Sequence, residues 1–324
     1  MTFTSGKERS KPEGMIDIHS HILWGVDDGA HSLADSLEMC RIAYDDGIRT
    51  IVATPHTLNG LYQNDRTSIL AKVQELNEVI SNQLLVNSSS TNNGSRITDN
   101  ELRNRLSVTR SELTYQLSVT RSHSQSRTTD NKYPGANSKS LITNNQFQLR
   151  ILPGADVCLC EGTLCQLEGG RVTTLGDGGK CLLLEFPIHG IPHGAEKVLF
   201  QLIARGIIPI ISHPERNLEI GRRPRRYHEM IRMGCLGQLT AMSLTGGFGP
   251  GVMRVAERLL TKGLVHLIAS DSHSTDGRPP ILSHAVHAAA TIVGREEAWK
   301  MVTEYPRAIL EGRRPDFPEP KPVE

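Results

Sequence analysis

Histidines and carboxylates recur along this chain at the ends of short apolar runs. His19 and His21 form an H-x-H pair in DIHSHILWGVDDG, which also carries Asp27 and Asp28. His56 closes IVATPH, Asp156 closes ILPGAD, Glu185 closes CLLLE, His213 closes IIPIISH, and Asp271-x-His273 closes LVHLIASDSH. Imidazole supplies neutral ligand nitrogen, whereas carboxylates supply charge and can bridge two cations. Such a set, with no thiolate, suits manganese, iron or zinc in a hydrolytic site, where bound water is acidified toward a pKa of ~7. A lone histidine at a strand end is usually a hydrogen-bonded structural residue. The same feature at strand end after strand end argues for one shared centre. The candidates His19, His21, Asp28, His56, Asp156, Glu185, His213, Asp271 and His273 exceed what two closed shells need once any ligand bridges. Three ions are therefore expected, with Glu185 as the bridge. Asp17 and Asp27 are expected to orient ligands from behind.

Arg216 lies three residues beyond His213 in SHPER, and a guanidinium beside a metal centre offers a planar fork for phosphate oxygens. The competing expectation is a salt bridge to Glu215 or Asp276. Arg278, just past SDSH, is a second candidate. Cys165 and Arg171 have the C-x5-R spacing of thiolate phosphatases, but Leu164 precedes the cysteine and Glu168 sits inside the would-be phosphate loop. That spacing reads as coincidence.

The elements that must position these residues are short aliphatic runs at 15–19, 48–53, 149–153, 181–186, 207–211, 235–239 and 264–269. Most lack polar alternation, as strands buried on both faces of a parallel sheet do. Helical spacing appears between them, at 33–46, 65–81, 194–205, 225–233, 250–262 and 283–303. Alternating strands and helices predict a parallel α/β fold. Chemistry at the ends of most strands fits a closed or nearly closed (β/α)7 TIM-like barrel better than an open sheet, whose site gathers at one switch point.

The barrel is expected over 15–312, between a polar extension at 1–14 and a Pro-rich tail at 313–324. Residues 87–146, dense in Ser, Thr, Asn and Arg and repeating LSVTRS, break the rhythm and are expected to form a disordered insertion without a role in catalysis. A net charge of +1 among 324 residues gives no reason to expect nucleic-acid or membrane attraction. No stretch reaches the ~20 apolar residues of a membrane span. The N-terminus lacks the apolar core of a signal peptide, and the six cysteines lack zinc-type pairing. A cytoplasmic protein with reduced cysteines is expected.

The motifs DIHSHILWGVDDG, TPH, GADV, LLLEFP, SHPERN, QLTAMSLTGGFG and ASDSH together resemble the bacterial metal-dependent tyrosine-protein phosphatases of capsular and exopolysaccharide loci, in the polymerase-and-histidinol-phosphatase superfamily. The resemblance covers about 15–83 and 147–310. It implies a (β/α)7 barrel, three divalent ions usually described as manganese, and removal of phosphate from tyrosines of a bacterial tyrosine kinase that controls polysaccharide export. It also implies the nine residues above as ligands and Arg216 on the substrate phosphate. Asp156 stands where the family commonly has Glu, and the 87–146 insertion is foreign to its pattern. Two other readings follow from the same residues: a histidinol-phosphate or other small phosphomonoester phosphatase of that superfamily, and a catalytically weak partner of the kinase.

Overall fold

The computed structural model describes residues 14–89 and 148–323. The chain divides into two compact units, residues 1–76 with 148–324 and residues 77–147. The extension 1–14 and the insertion 87–146 lie outside the described residues, apart from Gly14 and the end of one helix at 87–89.

The first unit is a mixed α/β fold in which every paired strand is parallel. One ladder runs β1 (Met15–Ser20), β2 (Ile48–Ala53), β4 (Arg150–Pro153). The other runs β3 (His56–Thr57), β5 (Asp156–Cys158), β6 (Cys181–Glu185), β7 (Ile208–Ser212), β8 (Leu236–Thr240), β9 (Leu267–Ala269). The chain leaves β2 at Thr54-Pro55 and resumes as β3, and leaves β4 at Gly154-Ala155 and resumes as β5. A Cβ on Gly154 would meet a Val52 methyl at 2.6 Å, so only glycine lets the two chains pass this closely. Beyond the ladders, the backbone of β1 meets that after β9. The His21 N–H donates to the Ser272 carbonyl and the Asp271 N–H to the His19 carbonyl, each at 2.8 Å.

Side chains two apart on a strand share a face. In β6 that face carries Cys181, Leu183 and then Glu185, and in β8 Leu236, Gln238 and then Thr240. The early members join Ile16, Val52, Ile210 and Leu267 in one buried apolar cluster, while the last members reach the polar end. These two strands thus seal the interior with their first half and offer polar groups with their second.

Four helices of this unit match the sequence periodicity to within a residue at each end. In α1 (Leu33–Asp45), Ser32 caps through the Asp35 N–H while the Asp35 side chain accepts from Ser32, a full capping box. The helix α2 (Arg66–Ser89) continues past the expected end at residue 81. After α3 (Thr163–Glu168) come α4 (Ala195–Ala204), α5 (Leu218–Arg222), α6 (Arg225–Met233), α7 (Ala241–Leu244) and α8 (Gly249–Thr261). The expected helix 283–303 is two, α9 (Ser283–Val293) and α10 (Arg295–Lys300), broken at Gly294 with φ of 89°; α11 (Glu304–Leu310) follows.

The Pro-rich tail is laid against the fold. Phe317 packs edge-on against His266 and Tyr305, with ring centroids 4.5 and 4.8 Å away, and the Lys321 N–H donates to the Lys262 carbonyl at 2.9 Å. Burial under this tail pushes the His266 imidazolium down to about 3. A depressed histidine stabilises the fold above its unfolded pKa of ~6.5, and that stability is lost as pH falls toward the folded value. Wild-type protein should therefore lose about 2 kcal/mol more stability than His266→Gln between pH 7 and 5, on linkage arithmetic. Urea unfolding at both pH values checks this, and parallel losses would show that His266 does not titrate as buried.

Candidate metal centre

All nine candidates lie in one cluster, most of them in or just beyond the last residues of a strand. His19 is in β1 and His21 just beyond it; His56 and Asp156 open the short resumed strands; Glu185 ends β6; His213 follows β7; Asp271 and His273 follow β9. Asp28 reaches in from the loop after β1. His213 and Asp271 adopt left-handed backbone, with φ of 31° and 50°. Such geometry costs a non-glycine residue roughly 1–3 kcal/mol and is held where surroundings over-determine it.

Three groups have donor atoms within 4.8 Å of one another: His21, Asp28, His56 and His273; His19, His21 and Asp156; and His56, Asp156 and Glu185. Two residues adjoin them. His213 Nε2 lies 3.6 Å from Glu185 and 3.9 Å from Asp156, and Asp271 Oδ1 lies 3.4 Å from His19 Nε2. Asp156 belongs to two groups and Glu185, the expected bridge, to one.

Two donor atoms in the middle of this cluster, His56 Nδ1 and Asp156 Oδ2, are buried without a hydrogen-bond partner. Orphaned buried donors cost on the order of 1–3 kcal/mol each. A bound cation relieves both, so the residues present fit divalent metal. The electrostatics agree. Burial alone would lower His56, but Glu185, Asp156 and Asp28 outweigh it and push the imidazolium up to about 9. Burial would likewise raise Asp156 and Asp271, yet the surrounding histidines, with Arg278 for Asp271, hold both carboxyls far below the usual range. Burial wins instead at His19 and His273, which are pushed down, while the carboxylates are held charged.

Partners behind the donors fix which nitrogen faces inward. Asp27 Oδ2 accepts from His21 Nδ1 at 2.7 Å, leaving Nε2 for the centre. The Asp271 carbonyl accepts from His273 Nδ1 at 3.0 Å, and Asp17 accepts from the Ser270 N–H at 2.9 Å beside its own bond to the His19 N–H. Gln238 opens the QLTAMSLTGGFG motif without being marked there as a site residue, and its Oε1 accepts from His19 Nδ1 at 2.8 Å. It is fully buried on β8, a strand that carries no ligand candidate. Its place in an otherwise apolar strand, CLGQL, was the available signal. Replacing it with Leu frees His19 to rotate or to take the other tautomer. Gln238→Leu should bind metal about 10–100-fold more weakly, read by metal titration of the apoprotein, while Gln238→Glu keeps the acceptor and the affinity. Equal affinity in Gln238→Leu and wild type would assign Gln238 to packing alone.

Arg216 pairs with neither Glu215 nor Asp276. Its Nη1 donates to Asp271 Oδ2 at 2.8 Å, and Arg278 reaches the same oxygen. Both guanidiniums lie over the Phe248 ring, 4.8 and 5.5 Å from its centroid. Glu215 turns away and is buried, accepting from the Thr240 N–H at 3.0 Å and Ser243 Oγ at 2.6 Å. That anchors the HPER turn, and with it Arg216. The C-x5-R spacing forms no phosphate cradle. Cys165 is an exposed residue of α3, and the N–H groups of Gln166, Gly169, Gly170 and Arg171 are all spent on backbone carbonyls.

The family described as capsular polysaccharide synthesis, CpsB/CapC, matches residues 15–90 and 113–311. The tyrosine-protein phosphatase YwqE of Bacillus subtilis (strain 168) is 30% identical over 309 residues, covering 95% of this chain and 96% of that protein. The tyrosine-protein phosphatase CpsB of Streptococcus pneumoniae is 26% identical over 301 residues, covering 91% and 98%. Among solved structures, the crystal structures of those two proteins, described as unique metal-dependent tyrosine phosphatases, include a chain that superposes with a TM-score of 0.73 at 28% identity, covering 96% of this chain and all of that one.

Proposed function

The chain belongs to the CpsB/CapC family of capsular polysaccharide synthesis, and from that membership we propose that it is a metal-dependent tyrosine-protein phosphatase. The observation that carries the reading is the convergence of nine nitrogen and oxygen donors beside two arginines in a chain whose relatives bear that activity in their names. The proposed substrate is a phosphotyrosine-bearing protein, a bacterial tyrosine kinase governing polysaccharide export, in keeping with the family's description. The proposed compartment is the cytoplasm, in keeping with six cysteines left as thiols; among the described residues no helix is long and apolar enough to cross a membrane.

The two ladders are read as arcs of one (β/α)7 barrel, with β2 and β3 counted as one strand and β4 and β5 as another. The hydrogen bonds between 19–21 and 271–272 support that closure. The three donor groups support three ions, and a mixed imidazole and carboxylate set without thiolate is compatible with manganese. His19, His21, Asp28, His56, Asp156, Glu185, His213, Asp271 and His273 would hold them. Divalent ions there supply water that is acidic at neutral pH and charge that offsets the phosphate.

The remaining work falls to the chain's own residues. Asp27, Gln238 and the Asp271 carbonyl keep a proton on Nδ1 of His21, His19 and His273, so the Nε2 of those three stays a lone-pair donor. Arg216 and Arg278, now sharing one carboxylate oxygen, have donors to spare for the equatorial oxygens of a phosphoryl group, which gain charge in the transition state. Phe248 packs its ring against both guanidiniums. Tyrosine leaves as a phenolate of pKa ~10, so little acid assistance is required.

The reading is tested by assaying manganese-loaded protein on phosphotyrosine and on histidinol phosphate. Phosphotyrosine is the expected substrate. Preference for histidinol phosphate would transfer the chain to the small-ester reading, and inertness toward both with metal bound would favour a binding partner. Neither alternative is supported by the relatives, which are named as tyrosine-protein phosphatases.

A further inference from the structure

A cleft of about 40 Å³ opens beside the metal cluster. Its lining includes the polar Glu185, His213 and Arg216 together with the apolar Phe186, Ile188 and Pro214. Beside it the surface carries two large aliphatic side chains in the open, Ile188 at 53% and Leu218 at 45% exposure. They are neighbours, since the Leu218 N–H donates to the Ile188 carbonyl at 2.9 Å.

The loops bearing them are cross-braced. Asn217 Nδ2 donates to the Pro187 carbonyl at 2.8 Å, while its Oδ1 caps α5 by accepting from the Glu219 and Ile220 N–H groups at 3.0 Å each. Glu219 in turn accepts from the Ile191 N–H at 2.8 Å. Exposed aliphatics scattered singly need no explanation. An adjacent pair on braced loops, one member of which lines a cleft together with Arg216, has the anatomy of a subsite: a few polar groups that fix orientation beside an apolar wall.

We propose that this wall is an aryl subsite in which Ile188 and Leu218 are the residues that select tyrosine. The proposal rests on the phosphatase reading. With phosphate at Arg216, the ester oxygen of a phosphotyrosine is followed at once by a flat, neutral ring. A shallow cleft takes the edge of that ring and leaves its face on Ile188 and Leu218. Phosphoserine and phosphothreonine carry no ring, and the polar backbone follows within one or two carbons. They gain nothing from an aliphatic wall and lose hydration against it. The subsite therefore discriminates through binding energy added only for an aryl ester.

Binding is measured by isothermal titration of the manganese-loaded protein with benzylphosphonate and with ethylphosphonate, stable mimics of the aryl and alkyl esters. Wild type should bind the benzyl compound more tightly. In the double variant Ile188→Ser with Leu218→Ser that preference should shrink about tenfold, the size of two lost partial aliphatic contacts, with metal content unchanged. A wild type that binds both alike, or a double variant that keeps the full preference, overturns the subsite. Ile188→Phe, which enlarges the wall, should keep or strengthen the preference, and losing it would also count against the assignment. Failure of the phosphatase reading is recognised separately, as absence of phosphotyrosine hydrolysis by the same loaded protein.

Discussion

Chelation should extinguish phosphotyrosine hydrolysis, and manganese should restore it, while cysteine alkylation and Cys165→Ser leave the rate unchanged. The size of the effect comes from the chemistry that divalent ions supply, acidifying water from a pKa of 15.7 toward ~7; without them, loss to background is expected. The thiol arm follows from the geometry. Buried Cys40, Cys181 and Cys235 are pushed up to about 12 by their apolar surroundings, which leaves no thiolate at working pH. Cys165 stands on a helix whose neighbouring N–H groups are already bonded. Rate and metal content should be followed together through chelation and reconstitution. Activity that persists after the metal is gone, or an inactive Cys165→Ser with metal in place, would remove the metal mechanism.

Arg216→Ala is the second large expected effect, a loss on the order of 10²–10³ in kcat, the cost of one charge-stabilising donor. A guanidinium placed there would bind the equatorial oxygens most strongly as they gain charge. Metal content should survive, because Arg278 still reaches Asp271 when Arg216 is gone and Asp271 Oδ1, the oxygen facing His19, is untouched. Arg216→Lys should recover only part of the rate, since a point charge cannot reproduce a bidentate fork. His213→Ala is the contrast, because it removes a donor and should lower metal occupancy with the rate. A wild-type kcat in Arg216→Ala would move the phosphate clamp to Arg278. Equal metal loss in Arg216→Ala and His213→Ala would make Arg216 a support for the cluster.

Much of this site was legible from the order of residues, for a physical reason. A strand buried on both faces must be apolar until it reaches the end of the sheet, so a histidine or carboxylate closing such a run marks its own position. IIPIISH and CLLLE announce both the strand and the residue offered at its tip. The parallel α/β class and the helices with clear periodicity, such as α1 with its capping box, were equally local matters. Boundaries that depend on one dihedral were not, and the break at Gly294 is the instance.

What the sequence determined was which residue types stand at the strand ends, and hence that nitrogen and oxygen donors without thiolate would meet. What only the tertiary structure decided was how they meet. Arg216 chose Asp271, 55 positions away, over the adjacent Glu215. Gln238 became the partner of His19 across 219 positions, and Asp156 rather than Glu185 became common to two donor groups. Each is a pairing between strands distant in sequence. Strand alternation fixes which face a side chain occupies, but only the packed sheet fixes which neighbour it faces there.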